Sequence, residues 1–268
     1  MMSDLITLSR AKTSLANLTT TTTEDATLGT LIQACSSAVG AYCGQDFVST
    51  LFDELVDGSD TDVLLLRRYP IVEIQRVAAN PVPVLRVRNS GGNARASVAV
   101  RSTGLRLTRV TAGVTTIDDT VTWSSYPTLA LLATAISALG NGWEAATFPG
   151  YGGWAAADLF APAGAYACLD AYAMLRLHRD ILDDWELHPD NGWLHRLGCD
   201  GVGWPAGKSR YRVRYQAGYA SVPADVQEAC AQWVAALFYQ TQTNPGTSPI
   251  LPPDGVRRLL LPHRRIRL

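Results

Sequence analysis

"SRYRVRYQAGYASVPADVQEA" (209–229) holds the decision about the fold. Arg210, Arg212 and Arg214 alternate with Tyr211, Val213 and Tyr215, the period-two signature of a strand with one apolar and one charged face. Gly218 then supplies a permissive backbone, and Pro223 suits the first turn of a helix, where its missing N–H costs nothing. From there the spacing becomes helical, with Val226, Cys230, Trp233 and Leu237 as the apolar stripe. A strand turning directly into a helix is thus expected here. Its arginine face reads either as an edge strand kept soluble by charge or as a surface meeting a partner subunit or a channel.

"GKS" (207–209) stands at the head of this stretch and raises the question of a nucleotide site. A phosphate-cradling loop needs glycine five positions before the Gly-Lys pair and a helix after it. Val202 occupies the first position and a strand follows, so no helix N-terminus is there to receive phosphate.

Helical spacing recurs elsewhere. Residues 4–18 place Leu8, Ala11, Leu15 and Leu18 at helical intervals. After a β-branched threonine run (19–23), Leu28, Leu31, Ile32, Cys35, Val39 and Tyr42 form one long stripe, with a threonine as N-cap candidate and Gly44 as its stop. A third helix is expected over 165–185, where Arg176, Arg179, Asp180 and Asp183 share a polar face among alanines and large apolar residues. Strands are expected at 49–58 and on either side of Pro70. Residues 84–127 break into four short alternating segments, followed by a helix over 128–139 and a strand near 141–148. Residues 186–208, rich in Gly, Trp and His, read as a long loop.

The expected fold class is therefore mainly α: a helical bundle core with an inserted β-rich (α+β) module. The core takes residues 1–50 and 156–242, with 51–85 as a β-hairpin attached to it. The module covers 86–155, and 243–268 forms an extended, proline-punctuated C-terminal arm.

Composition narrows the chemistry. The 268 residues are 47% hydrophobic and 18% charged, with formal net charge −1, which argues against a surface that binds nucleic acid over its whole extent. A local basic cluster closes the chain: Arg257, Arg258, His263, Arg264, Arg265 and Arg267. No apolar signal segment opens the sequence and no apolar run nears the ~20 residues that span a bilayer, so a soluble chain made in a reducing cytoplasm is expected. Five cysteines without CxxC spacing read as core thiols. His178, Asp183, Asp184, His188, Asp190, His195, Cys199 and Asp200 match no metal-ligand spacing and read as turn formers. No nucleophile elbow or carboxylate pair stands out, so neither catalysis nor a cofactor is expected.

The order of the pieces resembles the head–tail connector (adaptor, head completion) proteins of tailed bacteriophages. The resemblance lies in "LITLSRAKTSL" (5–15), "LIQACSSAVGAYCGQDF" (31–47), "LLLRRYPIVEIQRV" (64–77) and the opening stretch, where Tyr215, Ala217, Gly218, Tyr219, Val222, Pro223, Asp225 and Ala229 fall on the family pattern. The ending "PPDGVRRLLLPHRR" (252–265) resembles the family's basic tail. The resemblance implies a virion protein of the neck, made in the host cytoplasm, that forms a ring of copies, twelve by resemblance, beneath the portal. Such a ring joins the portal to tail-side stopper or terminator proteins and passes double-stranded DNA transiently, with no membrane partner. It further implies a portal interface at Arg257, Arg258, Leu259, Leu260, Leu261, Arg264, Arg265 and Arg267. Arg210, Arg212, Arg214 and Tyr219 are expected at the ring interface or the lumen. The rival readings are a tail or baseplate module that binds a host surface, and a metal-dependent enzyme built on 186–208.

Overall fold

The computed structural model describes residues 4–15, 22–160, 164–198, 203–243 and 252–265. Among the described residues strand outweighs helix, and the strands form three antiparallel sheets. The expectation of a mainly α fold built on a helical bundle is thereby corrected.

The spine is β3 (Ile71–Asn89). Its first half pairs with β12 (Gly207–Ala217), which pairs in turn with β1 (Thr50–Gly58) at the sheet edge. Its second half pairs with β7 (Trp143–Thr147), and β9 (Ala173–Ile181) runs along its other edge. Ala78 and Ala79 bond β12 and β9 at once, whereas Leu85, Arg86 and Val87 bond β7 and β9. Pro81 and Pro83 fall in the gap between the β12 and β7 ladders, where one edge of β3 lacks a partner and a missing N–H breaks no bond.

The helix expected over 165–185 is absent: β8 (Tyr166–Ala167) and β9 occupy it. Ala173, Leu175 and Leu177 are buried while Met174, Arg176 and Arg179 are exposed, a period of two beneath an accidental helical spacing of charges. Pairing with the buried spine settles the contest, because tertiary packing overrides the helical preference of the alanines. The loop expected over 186–208 is also corrected. β10 (Trp185–His188) and β11 (Trp193–Arg196) form a hairpin, and β11 adds to β2 (Val63–Leu65) as a second sheet.

The third sheet consists of β4 (Arg95–Val100), β5 (Gly104–Thr111) and β6 (Val114–Thr122), with β8 against β4. It encloses a core with the second half of β3, with β7, β9 and with α3 (Leu129–Ala138), which buries Leu129, Leu132 and Ile136.

Four helices form a separate core: α1 (Leu8–Thr13), α2 (Asp25–Cys43), α4 (Ala224–Thr243) and α5 (Asp254–Leu260). The α2 stripe buries Leu28, Ile32, Cys35 and Val39, and Gly44 ends it in the left-handed conformation at φ 68°. Its N-cap is Glu24, without a side-chain bond, rather than a threonine. Among the described residues no helix is long and apolar enough to cross a membrane.

Candidate functional site

Two constructions meet at the strand–helix joint, the arginine row of β12 and the clasp that holds the C-terminal segment. Tyr211, Val213 and Tyr215 are buried on one face of β12, so Arg210, Arg212 and Arg214 share the other. The three are not equivalent. Arg212 forks onto Asp53 of β1, Nε to Oδ1 and Nη2 to Oδ2 at 2.7 Å each, and its Nη1 donates to the Asp158 carbonyl at 2.5 Å. Arg76 of β3 binds the same Asp158 through its carboxylate at 2.8 Å. Arg212 is therefore a staple within the chain, tying the edge strand and residues 157–158 to β12. Arg210 lies over Gly207, its Nη1 donating to the Ala206 carbonyl at 3.4 Å. Arg214 is exposed in register between Asp53 and Arg76 and, among the described residues, has no ion-pair partner.

Past β12 the chain must turn under β1. Gly218 does so at φ 117°, where a Cβ would stand 2.6 Å from the Val48 carbonyl oxygen. Tyr219 then stacks on Phe47, ring centroids 5.8 Å apart, and Pro223 precedes α4, its carbonyl accepting the Gln227 N–H at 3.0 Å. In the first turn of α4, Asp225 meets His263.

His263 belongs to the C-terminal segment, which in this chain folds back on the helical core. α5 buries Val256 and Leu260, with Leu259 packed at its edge, while Arg258, Leu261 and Arg264 are exposed and Arg257 is half-buried. Gln45 donates to the His263 carbonyl at 2.7 Å, and the Arg265 N–H donates to the Cys43 carbonyl at 2.9 Å. The Arg265 guanidinium lies over the Tyr69 ring, 3.5 Å from its centroid, and donates to the Tyr69 carbonyl. Burial lowers its pKa. Arg264 rests over Tyr42 at 5.3 Å. Arg267 lies outside the described residues.

The remaining motifs are dispersed. Gly207, Lys208 and Ser209 open β12. His178 is buried in β9, its Nε2–H donating to the Ser209 carbonyl at 2.9 Å, whereas His188 and His195 lie on the hairpin with rings 4.7 Å apart. Cys199 and Asp200 lie outside the described residues, and among those described no three His, Cys, Asp or Glu side chains gather as a metal-binding group. Cys35, Cys43, Cys168 and Cys230 are free and buried, and burial pushes the Cys35 and Cys168 thiols up to about 12 and the Cys43 and Cys230 thiols to about 11. Thiols held protonated this way are poor nucleophiles.

The partners Asp53, Asp158 and Tyr69 were not singled out by residue type, whereas Asp225 was named on the family pattern of the strand–helix joint. "LFDELVD" (51–57) runs in apolar and acidic pairs rather than in alternation, so its spacing gave no sign that Asp53 faces the arginine row.

No protein-family model matches the chain, and no curated protein matches it in sequence. Solved structures do. A chain from the neck of an empty GTA particle computed with C6 symmetry shares 15% identity at TM-score 0.44, covering 100% of this chain and 97% of that one. A chain from the virion of a native gene transfer agent (GTA) particle shares 14% at TM-score 0.45, covering 98% and 91%. A chain from the neck of a native GTA particle computed with C12 symmetry shares 12% at TM-score 0.43, covering 100% and 97%. All three TM-scores lie below 0.5, and no fold, residue or role is transferred from these chains.

Proposed function

We propose that this protein is a structural, non-catalytic component of a virion neck. In this reading, copies close into a ring, twelve by the sequence resemblance, between a portal protein and tail-side stopper or terminator proteins. The ring leaves an axial channel through which double-stranded DNA passes.

One observation carries the reading. The segments that resemble the connector family are scattered along the chain, yet four of the five meet in one core. Leu5, Ala11 and Leu15 of the segment 5–15, Ile32, Cys35, Val39 and Phe47 of 31–47, Val226 and Ala229 of 209–229, and Val256 and Leu260 of 252–265 share the helical core. The remaining segment, 64–77, packs in the neighbouring core with Tyr215 and Ala217 and meets the C-terminal segment where Arg265 lies over Tyr69. Residues that carry a family pattern and converge on one core are consistent with a shared scaffold.

Within this reading Arg258, Leu261 and Arg264 are the portal-facing residues of the docked segment, and Arg214 with Tyr219 is left for the contact between copies or the lumen. A ring needs one heterologous contact repeated until the rotation closes. Negative-stain imaging of the full chain mixed with purified portal tests the proposal. Rings stacked on portal are the expected result, and absence of any complex with portal overturns it.

A further inference from the structure

We propose that the outward face of β3 and β9 carries a binding groove for the phosphodiester backbone of nucleic acid. It goes beyond the neck reading and does not rest on it. The groove, about 410 Å³, lies between β9 and the start of β12 and is lined by Tyr166, Tyr172, Arg176, Lys208 and Ser209 among others. At its end Arg86 stacks over Tyr172, 5.0 Å from the ring centroid.

Charge bookkeeping singles the place out. Most neighbouring carboxylates are already committed: Glu144 to Arg88 and Ser90, Asp158 to Arg76, Asp57 to the Ser209 N–H, Asp53 to Arg212 and Asp180 to Arg179, while the exposed Asp170 acts on Arg88. Arg86, Arg176 and Lys208 have no carboxylate within ion-pair distance among the described residues. Two cations without ion-pair partners, Arg176 and Lys208, thus line one concavity with tyrosine and serine hydroxyls, and a third, Arg86, stands at its end over Tyr172, inside a chain of net charge −1.

Spacing favours a phosphate chain over a single anion. Arg86 pairs in register with Met174, and Arg176 lies two residues farther along β9. The two arginines are therefore offset by about 7 Å along the strands, which suits phosphates repeated along a chain better than one compact anion. Cationic side chains interleaved with aromatic rings in a groove suit a flexible anionic backbone read without base preference. The floor is rigid, because buried His178 bonds the Ser209 carbonyl and packs on Phe160 with ring centroids 4.5 Å apart.

The test is fluorescence anisotropy of the full chain with a labelled oligothymidine of about 12 nucleotides. Binding is expected in the range of roughly 1–100 µM, with a log–log salt slope of about −2 for three phosphate contacts, or a 15–20-fold loss between about 50 and 200 mM salt. Replacing Arg86, Arg176 and Lys208 together by glutamine should weaken binding at least about tenfold, and Arg95→Gln with Arg101→Gln on the third sheet should leave it unchanged. Should the triple variant not fold, Lys208→Gln alone, at an exposed site, should reduce the slope by about 0.7. The proposal is overturned by absence of binding at low salt, by binding that survives these substitutions, or by a polyglutamate peptide that binds the groove while the oligonucleotide does not. The last outcome would assign the groove to an acidic protein surface. Portal imaging fails or succeeds independently of all three.

Discussion

His263 Nε2 lies 2.7 Å from Asp225 Oδ2, which ties the C-terminal turn to the first turn of α4. Burial works to raise the Asp225 pKa, but the hydrogen bond from His263, its charge and a backbone N–H outweigh it and hold the carboxyl below its ordinary value. A carboxylate with a depressed folded pKa adds stability above its unfolded value near 4 and loses it as pH falls through the folded one. Its side chain is 41% exposed, so the contribution is discounted for solvent to about 0.5–1 kcal/mol. Asp225→Asn should cost that amount by urea denaturation at neutral pH and progressively less as pH falls below about 4. A gap that does not shrink as pH falls would mean the loss is not one of charge.

The docking of α5 predicts a contrast between adjacent leucines. Leu260 is fully buried and Leu261 is 63% exposed. Leu260→Ala should destabilise by about 2–5 kcal/mol, and Leu261→Ala by no more than about 0.5 kcal/mol. Truncation at Asp254 should likewise lower the melting temperature, because it uncovers the face of the core that Val256 and Leu260 close. Equal melting of full-length and truncated chains would show that the segment does not stay docked.

Arg212 and Arg214 share a face of β12 but should respond differently to removal. Arg212→Ala breaks a forked bond to Asp53 and leaves the Asp158 carbonyl without its donor, at a cost of about 1–3 kcal/mol. Arg214→Ala should stay within about 0.5 kcal/mol. A double-mutant cycle with Asp53→Asn separates the Arg212 ion pair from its packing, and zero coupling would contradict the staple.

Gly218→Ala combines a positive φ with a Cβ placed 2.6 Å from the Val48 oxygen. Strain and steric overlap together should cost roughly 2–4 kcal/mol. A neutral effect in a urea titration would mean that the joint adopts another course.

His178 links stability to pH in a second window. Burial, as the main cause, lowers its pKa to about 4 from the ordinary 6.5, against the hydrogen bond to Ser209, which works to raise it. The unfolded chain takes up the proton first, so stability falls as pH drops below about 6.5 and the loss is complete near pH 4, on the order of 3 kcal/mol. His178→Phe should flatten the stability profile across that window. An unchanged slope would exclude His178 as its source.

Periodicity in the sequence determined more of this protein than residue type did. The strand of 207–217, its glycine turn and the helix after Pro223 were legible because each local preference points the same way there. The stripe of α2 and its Gly44 stop were legible for the same reason. Over 173–181 the alanines and the charge spacing spelled a helix, and only the unpaired edge of β3 made a strand the better solution. A backbone edge buried in a sheet must find hydrogen-bond partners, and no local window of sequence contains that demand. The same holds for function. Alternation placed Arg210, Arg212 and Arg214 on one face, but Asp53 and Asp158 arrive from 159 and 54 residues away and commit Arg212 to the interior of the chain. The groove of Arg86, Arg176 and Lys208 had no sequence signature, because its charges come from three strands and its excess arises from which acids are already paired. Side-chain chemistry is written locally, whereas neutralisation and burial are properties of neighbours, and neighbours are assigned only by the tertiary fold.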